Sequence, residues 1–261
     1  MKDIDELKKI AVLIDADNTQ LSKLKSVLAE ISTHGHIIVK RAYGDWSVPA
    51  LKNWKIELNE LAIQPIQQFA YTSGKNSTDA AMIIDAMDLL YTDKYDAFAL
   101  VSSDSDFTML ASRLRSSEIY VFGVGEKKTP TSFRNACDDF IFTENLGTPI
   151  INNENANNKV DSSATSAQTI KIDENFKEVL ELLDLACEKY PDEDGWTNVS
   201  SAGTFIKRSK PDFDSRTFGY LKLPDFIASL EDRYEMKKYK GKGTVNIIAY
   251  RKKKKGKAWR K

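Results

Sequence analysis

Four aspartates have the context that metal-dependent phosphate chemistry requires. Asp15 directly follows an apolar run, residues 10–14, and Asp104 and Asp106 follow a second apolar run and two serines. Asp79 begins a helical segment. Carboxylates gathered in one cleft repel one another unless a cation lies between them. Hard cations such as Mg²⁺ or Mn²⁺ prefer these oxygens. We therefore predict a Mg²⁺ or Mn²⁺ site made of all four carboxylates.

Such a site would hold an attacking water and would stabilise the attacking and the leaving oxygen when a phosphodiester is displaced. Asn18, Ser102 and Ser103 are candidates to orient the carboxylates or the water. Lys75, in the polar loop before Asp79, is a candidate phosphate ligand. An aspartate at a strand end or helix start also commonly serves as a cap or turn former, and this alternative stays open for Asp79. Four further aspartates are assigned mostly to solvated faces or caps: Asp17, Asp45, Asp85 and Asp88. Only the joint pattern favours a metal site.

Apolar runs and helical segments alternate along the first half of the chain. The run at 10–14 does not alternate in polarity, which is typical of a strand buried on both faces of a parallel sheet. Ligands of open parallel sheets bind beyond the carboxyl ends of the strands, where Asp15 and Asp104 lie. We predict strands at 10–14, 37–43, 63–71, 97–101, 119–124 and 140–142, with helices at 19–31, 49–61, 79–90, 107–115 and 131–136. This is an α/β domain with a parallel sheet.

A change of composition divides the chain. Residues 148–170 are rich in Asn, Ser and Ala and lack apolar periodicity, which predicts a flexible linker after a first domain at 1–147. Residues 171–251 contain helical segments, including a predicted helix at 196–208, and then a hairpin with its turn at 241–243. This order predicts a small winged-helix-like α+β domain. Residues 252–261 form a basic tail.

The balanced total of 38 basic and 38 acidic residues hides a gradient. Residues 1–146 have a net charge of −5, residues 147–261 have +5, and the stretch from Arg233 onward has 13 basic residues and one acidic residue. An acidic first half and a basic second half favour a metal-holding domain joined to a domain that binds a polyanion. A solvated tail is the alternative for the final residues.

Three motifs of the first domain resemble the NYN domain of the PIN-like nuclease superfamily. They are Asp15-x-x-Asn18, the Lys75-x-x-x-Asp79 region before an alanine-rich helix, and Val101-Ser-Ser-Asp104-Ser-Asp106-Phe107. The resemblance covers about residues 8–146. It implies a Rossmann-like α/β fold and Mg²⁺- or Mn²⁺-dependent cleavage of RNA, with Asp15, Asp79, Asp104 and Asp106 in the metal-binding positions. Ser103 departs from the pattern, because a glycine often precedes the third family aspartate.

The second domain resembles the OST-HTH/LOTUS domain over roughly residues 172–252. The matching residues are Gly195-Trp196, Phe205, Lys207, Pro211-x-Phe213 and Phe218-Gly219-Tyr220-x-Lys222-Leu223. This family is winged-helix-like and implies RNA binding or protein docking. Basic residues interleaved with aromatic ones fit phosphates and stacked bases of a single strand. The predicted nucleic-acid-binding residues here are Lys207, Arg208, Lys210, Arg216, Tyr220, Lys222, Lys238, Lys240 and Lys242.

These features predict a metal-dependent ribonuclease, endonucleolytic, whose second domain captures RNA. A catalytically weak or inactive adaptor that uses the second domain to dock RNA or protein is the alternative. A phosphatase of the haloacid-dehalogenase-like class is a minor one, because Asp15-Ala-Asp17 resembles its opening motif but no strand is left between Ser102 and Asp104. The chain has two cysteines that form no paired motif, no apolar leader and no apolar run of membrane-spanning length, so we expect a cytoplasmic protein. A protein partner and a homodimer stay open.

Overall fold

The structure is a computed structural model that describes residues 9–69, 77–147, 166–240 and 246–253, with side chains in the helix at 166–189 described from Glu174 onward. The chain divides into two compact units, Met1–Thr148 and Pro149–Lys261. The first unit is a parallel α/β sheet domain and the second is a small α+β domain with an antiparallel sheet, as the sequence predicted.

Six parallel strands form the sheet of the first unit, in the order β3-β2-β1-β4-β5-β6. The strands are β1 (Lys9–Asp15), β2 (His36–Gly44), β3 (Gln64–Gln67), β4 (Ala97–Val101), β5 (Tyr120–Gly125) and β6 (Asp139–Phe142). The helices are α1 (Leu24–Ser32), α2 (Trp54–Glu60), α3 (Ser77–Tyr91), α4 (Thr108–Ser116) and α5 (Thr131–Ala136). β3 is shorter than the predicted strand at 63–71, whose end lies outside the described residues.

The core of the first unit lies on both faces of the sheet. Ile10, Val12 and Ile14 pack with α1 and α2 on one face, whereas Ala11 and Leu13 pack with α3, α4 and α5 on the other. All five side chains are fully buried, which explains why β1 has a continuous apolar run instead of an alternating one. Asp15 continues the second series and therefore lies on the α3 side of the sheet.

The loop after β1 differs from its predicted role. The sequence predicted a helix from residue 19, but the first turn is a 3₁₀ segment at Leu21–Lys23 without a side-chain cap. The amide of Asn18 instead binds the carboxylate of Asp15, and the Thr19 hydroxyl donates to the carbonyl of Val101. Thr19 therefore joins the loop after β1 to the end of β4, whereas Asn18 fixes the carboxylate of Asp15 within its own loop.

The second unit packs helices against a three-stranded antiparallel sheet in the order β7-β9-β8. The elements are α6 (Ser166–Lys189), β7 (Thr197–Asn198), α7 (Val199–Ser209), a 3₁₀ segment (Ser215–Phe218), α8 (Leu223–Ala228), β8 (Tyr234–Lys240) and β9 (Asn246–Lys252). The predicted helix at 196–208 is shorter than expected, because β7 precedes α7 and Trp196 lies outside the helix. The start of α6 falls inside the predicted linker at 148–170, and the hairpin turn at 241–243 lies outside the described residues.

An ionic network centred on the partly buried Asp184 joins α6 to the hairpin. The Asp184 carboxylate accepts hydrogen bonds from Arg233 (2.5 Å), Lys252 (2.5 Å) and the Tyr234 hydroxyl (2.7 Å). Burial of this side chain, 15% exposed, opposes ionisation, but the three donors outweigh burial and lower the pKa of Asp184 to about 2. The ionised form is therefore the one that stabilises the fold.

We expect Asp184→Asn to lower the free energy of unfolding of this unit by about 1 to 2 kcal/mol at neutral pH, because two of its partners are solvent-exposed and screened. The folded pKa is below the ordinary value of 3.8, so the contribution is full above about pH 4 and is lost as the pH falls towards 2. Hydrogen exchange of the β8 and β9 amides in the full chain measures this difference. Glu188→Gln, an exposed change on the same helix, is the control, and equal protection in both variants would contradict the prediction.

Candidate active site

The candidate site lies where the strand order of the first unit reverses. β1 pairs with β2 on one side and with β4 on the other, so the chain leaves the two central strands towards opposite edges. A crevice forms at such a switch point, beyond the carboxyl ends of the strands. Ile14 pairs with Val101 at this edge, which puts the residues that follow β1 beside those that follow β4.

Asp15 lies at the bottom of the crevice and is only 1% exposed. Its carboxylate accepts hydrogen bonds from the Ser102 hydroxyl (2.6 Å), the Asn18 amide group (2.9 Å) and the backbone N–H groups of Asp17 (3.1 Å) and Asn18 (3.2 Å). Burial raises the pKa of Asp15, while the hydrogen bonds from Ser102 and Asn18 oppose that rise. The side chain is therefore fixed in one orientation.

Ser102 links the two strand ends. Its hydroxyl donates to Asp15 and accepts from the backbone N–H of Asp104 (3.0 Å). Gly125, at the end of β5, lets this segment approach closely: a Cβ there would lie 2.6 Å from the Ser102 carbonyl oxygen. The Ser102 hydroxyl and the lack of a side chain at Gly125 therefore set the position of Asp104 relative to Asp15.

We expect Ser102→Ala to lower the free energy of unfolding of the first unit by about 1.5 to 3 kcal/mol, the range for a hydrogen bond to a charged group. The change also removes a donor that opposes the rise in the pKa of Asp15, so that pKa should rise further. Thermal unfolding of the full chain tests the first effect. Ser112→Ala, at an exposed position of α4, is the control, and equal losses in the two variants would contradict a special role of Ser102.

Asp79, Asp104 and Asp106 bring their carboxylates together. One oxygen of each lies within 4.8 Å of the others. Asp79 is the third residue of α3, and Asp104 caps the 3₁₀ segment Ser105–Phe107 by accepting from the backbone N–H of Asp106 (2.9 Å). Partial burial, and then the charges of Asp15, Asp104 and Asp106, raise the pKa of Asp79 to about 6. Asp15 is not among the three clustered carboxylates but is close enough to act on Asp79 electrostatically.

The three residues expected to orient the site have different positions. Asn18 and Ser102 bind Asp15 directly, whereas the Ser103 hydroxyl accepts from the backbone N–H of Glu126 (2.9 Å), on the side of β5. Lys75 lies outside the described residues.

A pocket of about 530 Å³ adjoins the cluster and includes residues that the sequence analysis did not propose. Asp104 lines it together with Asp17, which we had left to a solvated face, and with Glu126 and Lys128. Lys128 pairs with Glu126 (3.1 Å) and is the exposed cation of this wall. Among these additional residues, Asp17 had a signal in the sequence, since it is a second acidic residue two positions after Asp15.

The NYN domain model matches residues 9–146. The chain belongs to the NYN family. An OST-HTH/LOTUS domain model matches residues 169–246, so the NYN domain is followed by a LOTUS domain. These two domains support a nuclease and RNA-binding role.

Two of the solved structures that the chain matches are of an uncharacterized protein and a protein of unknown function. A protein of unknown function from Vibrio parahaemolyticus is 19% identical, covers 54% of this chain and 96% of its own, and has a TM-score of 0.44. An uncharacterized protein from Nitrosomonas europaea is 23% identical, covers 40% of this chain and 89% of its own, and has a TM-score of 0.28. No curated protein matches the chain. None of the helices in the described ranges has the length and apolar character that a membrane span requires.

Helix α3 of the NYN domain is anchored to the sheet one and a half turns beyond Asp79. Asp85, which we had left to a solvated face, accepts hydrogen bonds from Arg41 (2.5 Å) and from the buried Tyr43 hydroxyl, both on β2. That expectation was wrong because Arg41 and Tyr43 are far from Asp85 in sequence and meet it only when the helix packs on the sheet. The anchor holds the helix that carries Asp79.

The LOTUS domain uses part of its predicted RNA-binding set internally. Lys210 pairs with Glu178 (2.7 Å), Arg216 pairs with Asp214 (2.9 Å), and the Tyr220 ring packs 5.6 Å from the Phe226 ring. Lys207 is partly buried, and Lys242 lies outside the described residues. The predicted residues that are exposed are Arg208, Lys222, Lys238 and Lys240.

Proposed function

We propose that the NYN domain is a Mg²⁺- or Mn²⁺-dependent endoribonuclease and that the LOTUS domain binds its RNA substrate. The observation that carries this proposal is the convergence of the Asp79, Asp104 and Asp106 carboxylates at the switch point of the sheet. Acidic oxygens at such an edge match the ligand preference of hard divalent cations.

The residues fit such an ion. Three carboxylate oxygens lie within 4.8 Å of one another. Burial first, and then repulsion by the neighbouring carboxylates, raises the pKa of Asp79, and a bound cation would relieve that repulsion. A bound Mg²⁺ or Mn²⁺ would supply Lewis acidity and lower the pKa of a coordinated water.

The protein side chains have separable roles in this proposal. Asp79, Asp104 and Asp106 hold the ion. Asp15 adds fixed negative charge from below and, with Asn18 and Ser102, keeps the crevice in one geometry. Lys128, on the wall of the adjoining pocket, is placed to receive a phosphate of the bound strand.

The LOTUS domain would capture RNA with its exposed cations, chiefly Arg208, Lys222, Lys238 and Lys240. Binding that depends on phosphate contacts weakens steeply as salt rises. A domain with this charge, tethered to the cleaving domain by residues 148–165, would raise the local concentration of substrate.

A circular single-stranded RNA tests both cleavage and its mode, because it has no ends for an exonuclease. We expect the full chain to linearise it with Mg²⁺ or Mn²⁺ and not with EDTA. An intact circle under every metal condition would overturn the enzyme proposal. Cutting of a linear RNA alone would leave a ribonuclease but overturn the endonuclease assignment.

An adaptor that binds RNA without cleaving it is the second candidate. It is favoured by Ser103, whose side chain occupies a position where the family often has glycine and lines the pocket beside Asp104. RNA binding by the full chain without cleavage, restored to cleavage by Ser103→Gly, would support it. The phosphatase alternative lacks its required strand, since Ser102 and Asp104 both lie in the loop that follows β4.

A further inference from the structure

The outer face of the LOTUS sheet carries a row of aromatic rings and cations that the proposed function does not use. The Lys237 ammonium lies 4.5 Å from the centre of the Trp196 ring and 4.9 Å from that of Tyr239. The Arg251 guanidinium lies over the same Trp196 ring, 4.3 Å from the ring centre. We call these four residues, Trp196, Lys237, Tyr239 and Arg251, the outer-face row.

Strand alternation separates this row from the domain core. Tyr234 and Met236 of β8 point into the core, where the Tyr234 ring meets the Tyr250 ring. The alternate residues of β8, Glu235, Lys237 and Tyr239, therefore point to the opposite face. The row extends over three strands, because Arg251 belongs to β9 and Trp196 immediately precedes β7.

The row is held in place before any ligand arrives. Arg251 donates two hydrogen bonds to Glu235, of 2.9 and 3.1 Å, and these orient the guanidinium over Trp196. Lys237 contacts the two rings, and no carboxylate among the described residues forms an ion pair with it. Tyr239 is 37% exposed. The aromatic rings and the guanidinium plane can each stack with a base, and the ammonium group can bind a phosphate. The row therefore matches the alternation of bases and phosphates along a strand.

We infer that the outer-face row is a base-stacking site for single-stranded RNA. Unpaired bases stack on Tyr239, Trp196 and the guanidinium plane of Arg251, and Lys237 binds the phosphate between them. The charge of the surrounding chain suits a polyanion, since only Glu235 is acidic among the residues from Arg233 onward. The inference rests on the proposed RNA binding by the LOTUS domain and names both its surface and the state of the RNA.

Binding of a short single-stranded RNA to the full chain in EDTA tests the inference without cleavage. We expect Tyr239→Leu and Trp196→Leu each to weaken binding about tenfold, the effect of losing one stacked base. Lys237→Gln should reduce the slope of log affinity against log salt by about 0.7, the share of one phosphate on a single strand. The aromatic variants should leave that slope unchanged, because they remove stacking and no charge.

Matched controls separate stacking from general damage to the domain. Tyr190→Leu removes another tyrosine, 44% exposed, and Lys177→Gln removes another exposed lysine of the same domain. Should Trp196→Leu unfold the domain, Tyr239→Leu and Trp196→Phe still test the site, because the second keeps a ring. A fully abasic strand of the same length should bind the wild type more weakly than ordinary RNA binds Tyr239→Leu, because it loses every stacked base and the variant loses one.

Each result decides one point. Equal affinity for the abasic and the ordinary strand, or for duplex and single-stranded RNA, would overturn the inference. It would show that this face recognises only the charge of the RNA backbone. Wild-type RNA binding that the outer-face variants do not change would overturn it too, and would leave the proposed RNA capture intact. A wild type that binds no RNA in EDTA would overturn the capture as well, whereas the cleavage of circular RNA tests the nuclease separately.

Discussion

Asp104→Asn should lower RNA cleavage by at least about 100-fold, since replacing even a residue that supports a metal ligand costs 10- to 100-fold. The fold should survive this change. The Asp104 side chain caps the 3₁₀ segment by accepting from the backbone N–H of Asp106, and asparagine is an equally good cap with the same shape. The substitution therefore removes charge and one ligand oxygen while it keeps the local structure.

Initial rates of RNA cleavage at saturating Mn²⁺ measure this loss. Asp88→Asn removes one carboxylate from an exposed position of α3, so it is the control for the change in net charge. Cleavage by Asp104→Asn within a few-fold of the wild type would contradict a role for Asp104 as a metal ligand. Unfolding temperatures of the two variants show whether any loss arises from misfolding.

Asp79→Asn should have opposite effects on stability and on activity. Partial burial, and then the charges of four neighbouring carboxylates, raise the pKa of Asp79 from its ordinary 3.8 to about 6. The folded protein therefore holds more protons than the unfolded chain between about pH 4 and pH 6, so stability falls as the pH rises through this window. Above pH 6 the folded protein bears the full free-energy cost of the ionised Asp79 carboxylate, and replacement by asparagine removes that cost.

The size of this gain is limited by solvent. A shift of about two pKa units would correspond to roughly 3 kcal/mol, and partial exposure of the carboxylate reduces the expected gain to about 1 kcal/mol at pH 7.5 in EDTA. Mn²⁺ at 100 times its dissociation constant should stabilise the wild type by about 2.7 kcal/mol and the variant far less. Cleavage by the variant should be lost.

Thermal unfolding in EDTA and in Mn²⁺, at pH 5 and at pH 7.5, measures these differences. The gain from Asp79→Asn should appear at pH 7.5 and be small at pH 5, where the wild-type carboxyl is already protonated. A loss of stability at pH 7.5 in EDTA would show instead that Asp79 is a structural helix-start residue. Asp88→Asn, on the same helix, should change neither value by much.

The sequence by itself determined the type of fold and the edge of the sheet at which chemistry is concentrated. An apolar run that ends at Asp15 and a second that ends two residues before Ser103 mark strands covered on both faces, because only such strands lack alternation. Parallel strands place their carboxyl ends at the same edge. Asp15 and Asp104 therefore had to lie near one another.

Packing decided which carboxylates meet. The Asp15 carboxylate is buried and accepts four hydrogen bonds, whereas the Asp79 carboxylate lies beside those of Asp104 and Asp106. Asp79 reaches them because α3 packs on one face of the sheet and is held there through Asp85. Local sequence contains no information on where a helix starts relative to a strand that is distant along the chain. The interpretation of Asp85 as a solvated side chain failed for this reason.

The basic surface shows the same division. Composition alone indicated a polyanion-binding second domain, since charge is a sum over residues. Which cations remain available depends on tertiary partners: Glu178 neutralises Lys210, and Asp214 neutralises Arg216. Strand register, a property of the folded hairpin, turns Lys237 away from the core and puts it beside Trp196, whose position ahead of β7 the predicted helix had missed. The sequence therefore reveals how much charge the domain carries, whereas packing decides which charged side chains are exposed and which way they point.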